Sequence, residues 1–297
     1  GNQGCGNEDG IEVEDRGFVW LTGNAADDSQ ILKFTQDGKF VLRIGKIAPP
    51  KGSNDTTQLG RPAEVTIDKD ANEVYIADGY GNRRALIVDA ATGKYVGHFG
   101  AYGQNPVVGE NGGGEGVGEG SGSWPDDFKA GRMKPKFFRS PLHCAKLAND
   151  GLLYVCDRGN NRVQIFKASE AGKPCSNPEG EIGKCGFVGE IHVAPQSIGG
   201  TSGTVNFSTD ATQSCMYVAD LVNDVIYVLT RQNLTELTRI GGGGRQAGQF
   251  HWPHVGATDS DGNRYVGEGD GADRTQTFLR YAAPGCPRTG TAAVGGY

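Results

Sequence analysis

One repeated unit constrains the fold of this 297-residue chain more than any other sequence feature. The unit is a short apolar strand, a polar turn, a second strand that ends near an acidic residue, a turn rich in glycine and asparagine, and a third strand. Its clearest copy covers residues 62–100, and the next copy begins at residue 141. Turn-forming clusters between β-branched and aromatic runs are typical of antiparallel hairpins. The repeat therefore predicts many short strands and no long helices.

The spacing of the unit predicts the architecture. The second strand of each copy ends near one of five residues: Thr22, Asp78, Asp157, Asp220 and Glu268. The gaps between these residues, 56, 79, 63 and 48, suit four-stranded blades of about 40–50 residues with loop insertions. We therefore predict an all-β fold, a single β-propeller of five to six four-stranded blades, over residues 1–281.

Two segments do not follow the repeat. Residues 101–136 contain a stretch of glycine and glutamate that cannot bury apolar surface, which predicts a solvated surface insertion. Residues 282–297 form an irregular tail, and no complete sixth blade is visible in the sequence. Two interpretations of the tail stay open: the two termini share a blade, or the tail completes a neighbouring molecule.

The chain has seven cysteines and no CxxC motif. Scattered cysteines in this number favour an oxidising compartment, so we expect a secreted protein, extracellular or periplasmic. Three pairings suit the positions: Cys144 with Cys156 across a hairpin, Cys175 with Cys185, and Cys5 with Cys286. Cys215 is then left over. Because connectivity does not follow from sequence, these pairs are hypotheses.

Charge and hydropathy count against two classes of partner. The net charge is −6 and no block of lysine or arginine stands out, so we expect no nucleic-acid partner. No apolar run approaches the roughly 18 residues that a membrane span needs. Three N-glycosylation sequons begin at Asn54, Asn206 and Asn233, and they would be usable in a glycosylating secretory route.

Three segments carry a more specific resemblance. The stretch 62–83 ends in Asp-Gly-Tyr-Gly-Asn-Arg, the stretch 155–162 reads Val-Cys-Asp-Arg-Gly-Asn-Asn-Arg, and the stretch 250–254 reads Phe-His-Trp-Pro-His. The units resemble NHL repeats, and within that family they are most similar to the peptidyl-α-hydroxyglycine α-amidating lyases, which are propeller enzymes. The resemblance implies that Tyr80 is a catalytic tyrosine and that Arg158 binds substrate.

The resemblance also implies a zinc ion held by three histidines, with the tyrosine taking a proton as the substrate is cleaved to a peptide amide and glyoxylate. His254 matches one ligand segment. His143 lies one residue late in a second segment, and on a strand one step turns a side chain to the opposite face unless a local bulge intervenes. Asp9 stands where the third histidine would be. The candidate metal is zinc, with His254, His143 and Asp9 as its candidate ligands.

A second metal receives less support from the same comparison. Val255 follows His254 at the position where the family places an acidic residue on a structural calcium ion. A valine side chain offers no oxygen ligand, and calcium is bound by oxygen. This departure counts against a calcium site.

Two hypotheses of different class follow. The first is a secreted, extracellular binding or scaffold propeller with a degenerate lyase-like site and a peptide or protein ligand at its axial face. Self-association through the tail 282–297 would suit it, because an open sheet edge accepts a strand from another chain. The alternative is a zinc-dependent amidating lyase-like enzyme that releases glyoxylate, with Tyr80 and Arg158 as catalytic residues. Convergence of the candidate ligands favours the enzyme, and monomeric behaviour counts against assembly.

Overall fold

A computed structural model describes residues 6–106, 135–269, 274–278 and 286. The chain is an all-β, five-bladed β-propeller, and each blade is a sheet of strands that are consecutive in sequence. Among the described residues, helical structure is confined to short 3-10 turns, and no helix there is long and apolar enough to span a membrane. The predicted fold class is confirmed, with five blades.

The described chain falls into two compact units, of which the first comprises the described residues between 6 and 147 together with residues 151–202. This unit contains three four-stranded blades. The first blade consists of β1 (Glu8–Glu14), β2 (Phe18–Gly23), β3 (Gln30–Thr35) and β4 (Phe40–Gly45). The second consists of β5 (Glu64–Asp68), β6 (Glu73–Asp78), β7 (Arg84–Asp89) and β8 (Tyr95–Phe99). The third consists of β9 (Leu142–Leu147), β10 (Leu152–Asp157), β11 (Arg162–Lys167) and β12 (Phe187–His192).

The second unit comprises residues 148–150 and the described residues from 203 onward. Its four-stranded blade consists of β13 (Ser202–Phe207), β14 (Cys215–Asp220), β15 (Val225–Thr230) and β16 (Glu236–Gly241). Its other sheet has three described strands, β17 (Pro253–Thr258), β18 (Arg264–Glu268) and β19 (Thr275–Phe278). Across both units the second strand of every blade ends within one residue of its predicted end.

Strand β6 shows how the blades of the first unit share their apolar contacts. Val74 and Ile76 belong to one apolar cluster, which also contains Trp20. Tyr75 and Ala77 belong to a different cluster. Successive residues of a strand point to opposite faces, so both faces of this sheet are buried. A strand covered on both sides needs an unbroken apolar run, which is what the sequence has here.

The acidic residue at the end of a second strand anchors the turn that follows. Asp78 accepts a hydrogen bond from Asn82 Nδ2 at 2.8 Å and pairs with Arg84 Nε at 2.8 Å. The fully buried Arg84 also donates to backbone carbonyls of the preceding loop. Asp157 and Arg162 repeat the pair at 2.7 Å in the third blade. Because the carboxylate and the guanidinium both find buried partners, such a network holds the turn in one conformation.

Two disulfides of the first unit confirm predicted pairs. Cys144 bonds to Cys156 and links β9 to β10. Cys175 bonds to Cys185 and closes the excursion between β11 and β12. In both cases the two cysteines are close in sequence, so local hairpin geometry brings them together.

The predicted Cys5–Cys286 pair is wrong, because Cys286 bonds to Cys215. Both cysteines are buried in the apolar cluster of the second unit, and 71 residues separate them in sequence. A contact made by the packed core is not visible in cysteine spacing, which is why Cys215 looked unpaired. Cys5 lies outside the described residues, and so do the residues of the tail 282–297 other than Cys286.

The start of the predicted insertion is packed rather than solvated. Ala101–Gly103 form a buried 3-10 turn directly after β8. The Tyr102 hydroxyl accepts a hydrogen bond from Arg162 Nη1 at 2.7 Å, and its ring lies edge-on to Phe187 at 5.1 Å between centroids. Those contacts bury an aromatic residue that composition alone assigns to a polar stretch. Residues 107–134 lie outside the described part of the chain.

Candidate metal and proton-transfer site

Tyr80 lies in the turn between β6 and β7, where the surrounding contacts fix its position. The Asp78 anchor begins this turn. Gly79 packs so tightly against the backbone of Leu142 that any side chain there would collide with it. Ser140 Oγ donates a hydrogen bond to the Tyr80 carbonyl at 3.1 Å. Tyr80 is buried as a result, and its hydroxyl is held close to the start of β9.

His143 occupies a β-bulge in β9. Cys144 lies opposite Cys156 in the ladder with β10. The next pair joins Leu142 to Asp157, so His143 is the extra residue between two successive pairs. A bulge re-aims the side chain that it carries and is frequent next to active sites. His143 is one residue late relative to the family pattern, which would direct its side chain to the opposite face of a regular strand. The bulge reverses this change of face.

Asp9 occupies a second bulge, in β1. Asp9 and Gly10 together oppose the single residue Thr22 on β2. Gly10 is buried, and a side chain at this position would collide with the backbone of Ala63. The close approach of β1 to the neighbouring blade therefore requires glycine here, and the bulge turns Asp9 inward.

Asp9, Tyr80 and His143 meet inside the first unit. The Tyr80 hydroxyl lies 3.0 Å from His143 Nε2 and 3.4 Å from Asp9 Oδ1. His143 Nε2 is 4.0 Å from Asp9 Oδ2, and both side chains are at most 5% exposed. These two residues are a histidine–aspartate pair that could hold a metal ion. A hydroxyl between an imidazole and a carboxylate can donate to either, so the site can also move a proton.

Asn24 and Arg61 also contact this site, and the sequence reasoning missed both. Asn24 Nδ2 donates to Asp9 Oδ1 at 2.9 Å. The Arg61 guanidinium lies 5.6 Å from the centre of the Tyr80 ring, and its Nε donates to the Asn24 carbonyl at 2.6 Å. Arg61 has a left-handed backbone with φ of 57°. Neither residue is part of a motif, because only the folded loops bring them to the site.

Arg158 begins the turn after β10, the counterpart in the third blade of the turn that carries Tyr80. Its side chain is 4% exposed, and its Cγ packs beside Gly200. Arg158 and His143 thus lie at the same end of the β9–β10 hairpin, since Asp157 pairs with Leu142. The role of Arg158 in substrate binding stays a prediction.

His254 belongs to the second unit, where it lies in β17 and is partly buried. Pro253 pairs with Glu268. The following pair is Val255 with Gly267, so His254 is again the extra residue of a bulge. All three predicted ligands therefore occupy bulges in the first strands of their blades. The assignment of His254 as a metal ligand stays a prediction.

Comparison with known proteins identifies the repeat and a distant relationship. A model of the NHL repeat matches residues 142–166. The chain is 23% identical over 268 residues to peptidyl-glycine alpha-amidating monooxygenase B of Xenopus laevis, an alignment that covers 87% of this chain and 25% of that protein. The mouse (Mus musculus) peptidyl-glycine alpha-amidating monooxygenase is 26% identical over 160 residues, or 53% of this chain and 13% of that protein. The chain carries an NHL repeat and is a distant homologue of these monooxygenases.

Two solved structures share the fold. A protein of unknown function from Bacteroides caccae superposes with a TM-score of 0.51 and 13% identity, covering 90% of this chain and 72% of that one. A streptogramin B lyase superposes with a TM-score of 0.50 and 14% identity, covering 91% and 64%. At such identities the likeness shows the propeller fold alone. Since the chain spans a quarter or less of these two monooxygenases, their activity does not carry over without a further argument.

Proposed function

We propose that the Asp9–Tyr80–His143 site belongs to a metal-dependent lyase that cleaves a peptidyl-α-hydroxyglycine to a peptide amide and glyoxylate. The observation that supports it is the convergence of a tyrosine hydroxyl with an imidazole and a carboxylate at one buried point. The distant relationship to peptidyl-glycine alpha-amidating proteins supports the substrate class.

The donor atoms suit zinc. Zinc lies about 2.0–2.1 Å from imidazole nitrogen and about 2.0–2.2 Å from carboxylate oxygen, so two such ligands of one ion are at most about 4.3 Å apart. His143 Nε2 and Asp9 Oδ2 are 4.0 Å apart, which lies inside this limit. Asp9 Oδ1 meanwhile accepts from Asn24, a second contact of the kind that orients metal ligands. We assign His254 as the third ligand from the sequence.

The protein residues divide the proton transfers between them. A bound zinc ion would act as a Lewis acid toward the substrate hydroxyl. Tyr80 takes the proton of that hydroxyl while its own phenolic proton moves toward Asp9 Oδ1, 3.4 Å away. The proton then returns through Tyr80 to the amide nitrogen as the C–N bond breaks. The former hydroxyl carbon becomes the aldehyde of glyoxylate, and the nitrogen leaves as a peptide amide.

Two arginines are suited to the negative charge of the substrate. The terminal carboxylate of a peptidyl-α-hydroxyglycine needs a cation, and a guanidinium binds a carboxylate through two hydrogen bonds. Arg158 is the residue that the family resemblance assigns to this role. Arg61 is half-buried and lies against the Tyr80 ring, so it is a second source of positive charge at the site.

Three disulfides among the described residues, together with the distant homology, are typical of a protein of the secretory pathway. Extracellular or periplasmic release is part of this proposal. Oxidising conditions keep the Cys144–Cys156 bond intact beside His143. An oxidising compartment therefore suits a site in which the metal-binding histidine lies next to a disulfide.

The test is an assay for glyoxylate with the zinc-loaded full chain and α-hydroxyhippurate, a small peptidyl-α-hydroxyglycine. We expect equal amounts of glyoxylate and benzamide. Tyr80→Phe should lower kcat by about 10²–10⁴-fold, the usual contribution of a positioned proton-transfer group. Tyr95→Phe is the matched control, since this exposed tyrosine contacts His98 instead. Equal rates for wild type and Tyr80→Phe would contradict the proposal.

A binding or scaffold role is the second candidate, and one observation favours it. Asp9 replaces a histidine of the family pattern, so the ligand set is not that of the lyases that the chain resembles. Zinc and α-hydroxyhippurate that bind without any release of glyoxylate would support a binding protein. Assembly through the tail 282–297 would show as a mass that rises with concentration in light scattering.

A further inference from the structure

The three N-glycosylation sequons occupy very different places in the fold. They begin at Asn54 in the loop before β5, at Asn206 within β13, and at Asn233 between β15 and β16. A glycan is bulky and hydrated, so a mature glycoprotein carries it only where the side chain faces solvent. The structure therefore separates three sequons that look equivalent in sequence.

Asn233 meets this requirement. It lies in the turn after Thr230 that leads into β16, and both Asn233 and Thr235 are exposed. Thr235 N donates to Asn233 Oδ1 at 3.2 Å, and the Thr230 hydroxyl donates to the same oxygen. These bonds hold the asparagine through its carbonyl oxygen, while the amide nitrogen Nδ2 is the atom that would carry the sugar.

Asn206 does not meet it. The residue lies within a strand and is partly buried. Its Nδ2 packs against β17: a side chain placed on Gly256 would come within 2.7 Å of this atom. The buried hydroxyl of Ser208, the third residue of the sequon, accepts a hydrogen bond from Cys215 N at 3.0 Å. A glycan attached here before folding would prevent β17 from packing, so such chains would not reach the secreted, folded population.

Asn54 is exposed, yet both ends of its amide group are engaged. Its Nδ2 donates to the Pro106 carbonyl at 2.7 Å. Its Oδ1 lies 3.2 Å from His98 Nε2. A sugar on Nδ2 competes for space with the Pro106 carbonyl, which makes Asn54 a poorer acceptor than Asn233.

We propose that Asn233 is the N-glycosylation site of this protein. The donor would be an oligosaccharide activated as a lipid diphosphate. A bond forms between Asn233 Nδ2 and the first carbon of the sugar as the bond from that carbon to the phosphate oxygen breaks. Nδ2 gives up one proton, and the lipid diphosphate leaves. The inference concerns the second unit; it rests on the proposed secretory route but not on the lyase chemistry.

The experiment is secretion of the full chain from a eukaryotic cell line, followed by peptide mass spectrometry after enzymatic release of N-glycans, which leaves aspartate at each occupied asparagine. We expect aspartate at position 233 in most molecules and unmodified asparagine at position 206. Intact mass should fall on glycan release by the mass of one glycan.

Matched variants separate the site from the fold. Thr235→Ser keeps the sequon and should keep the glycan, whereas Thr235→Ala and Asn233→Gln should lose it. All three substitute exposed residues, so circular dichroism should give unchanged unfolding temperatures for the deglycosylated proteins. An unmodified Asn233 in the secreted protein, or higher occupancy at Asn54 or Asn206, would overturn the inference.

Discussion

Strands β5 and β9 begin successive blades of the first unit, yet a single extra residue gives them different chemistry. β5 pairs with β6 without interruption, and its Glu64 meets the ammonium group of Lys146 at 2.9 Å. β9 pairs regularly as far as Cys144 and then bulges at His143. The regular strand begins with a residue that forms an ion pair to another strand, whereas the bulged strand turns an imidazole toward Tyr80.

The comparison teaches that the blades carry the framework and the bulges carry the site. β1 resembles β9 in this respect, because it bulges at Asp9. Farther along β1, Glu12 contacts Lys146 at 2.9 Å. The three first strands of this unit are therefore tied together by one ammonium group between Glu12 and Glu64. The site depends on the bulges at which β1 and β9 depart from regular pairing. The ion cluster of Glu12, Glu64 and Lys146 holds these strands in place.

The largest expected effect is at the bulge itself. His143→Gln keeps much of the side-chain volume and removes the ligand nitrogen. Loss of a partner that only orients a ligand weakens metal binding about 10–100-fold. Loss of the ligand itself should therefore weaken zinc binding by more than about 100-fold. Isothermal titration with zinc measures this change. His98→Gln is the control, because His98 contacts Asn54 and Tyr95 instead of the site. Equal zinc affinities of His143→Gln and His98→Gln would contradict the assignment of the bulged residue as a metal ligand.

The disulfide beside the bulge is the next test. Replacing both Cys144 and Cys156 by alanine opens a loop of 12 residues and should lower the free energy of unfolding by about 3 kcal/mol. The double alanine variant of Cys175 and Cys185 opens a similar loop of 10 residues and is the matched control. Denaturant unfolding should show similar losses, while zinc affinity should fall only in the first variant. Equal affinities would show that the disulfide does not support the bulge.

Lys146→Met tests the ion cluster. Breaking a buried ion pair costs about 3–5 kcal/mol, and partial exposure of Glu12 reduces this to about 2 kcal/mol of unfolding free energy. Lys167→Met removes an exposed ion pair with Glu170 and should cost at most about 1 kcal/mol. Urea unfolding at pH 7 compares the variants. Costs of the same size would show that Lys146 does not tie the strands together.

The difference in stability between wild type and Lys146→Met has a predicted pH dependence. Burial alone would lower the pKa of Lys146, but the carboxylates of Glu64 and Glu12 outweigh it and hold this pKa above its ordinary value. The stabilisation is then complete below the unfolded pKa of about 10.4 and is lost as the pH rises further. The difference between wild type and Lys146→Met should be constant from pH 7 to 9 and smaller at pH 11. A difference that grows at pH 11 would contradict the ion-pair account.

The smallest effect concerns the contact behind Asp9. Asn24→Ala removes the hydrogen bond to Asp9 Oδ1 and should weaken zinc binding about 10-fold with little change in stability. Asn72→Ala removes a similar bond to Asp89 at 2.8 Å on the surface of the next blade and should leave zinc binding unchanged. Titrations of both variants decide whether Asn24 orients a ligand or is a structural contact only.

The fold was largely predictable because the repeat states it in local terms. Turn residues between apolar runs placed the strands, and the acidic ends of the second strands matched the buried anchors such as Asp78. Short-range cysteine pairs followed from hairpins. The Cys215–Cys286 bond was not predictable, since a core assembled from distant segments brings the two sulfurs together.

The site was predictable only in part. Resemblance named Asp9, Tyr80 and His143, and the structure brings these three together. The sequence does not show which way His143 points, because a bulge shifts the two-residue alternation of a strand without any change in composition. Asn24 and Arg61 were missed since no motif contains them, and their contacts with Asp9, Tyr80 and each other form only in the folded protein.

The central claim is that bulges in β1 and β9 aim Asp9 and His143 at one metal ion beside Tyr80. X-ray absorption at the zinc edge on the zinc-loaded full chain tests it most directly. The account predicts one zinc per chain with nitrogen and oxygen ligands at about 2.0–2.1 Å, and loss of one imidazole contribution in His143→Gln. Absence of stoichiometric zinc, or an unchanged spectrum in that variant, would contradict it.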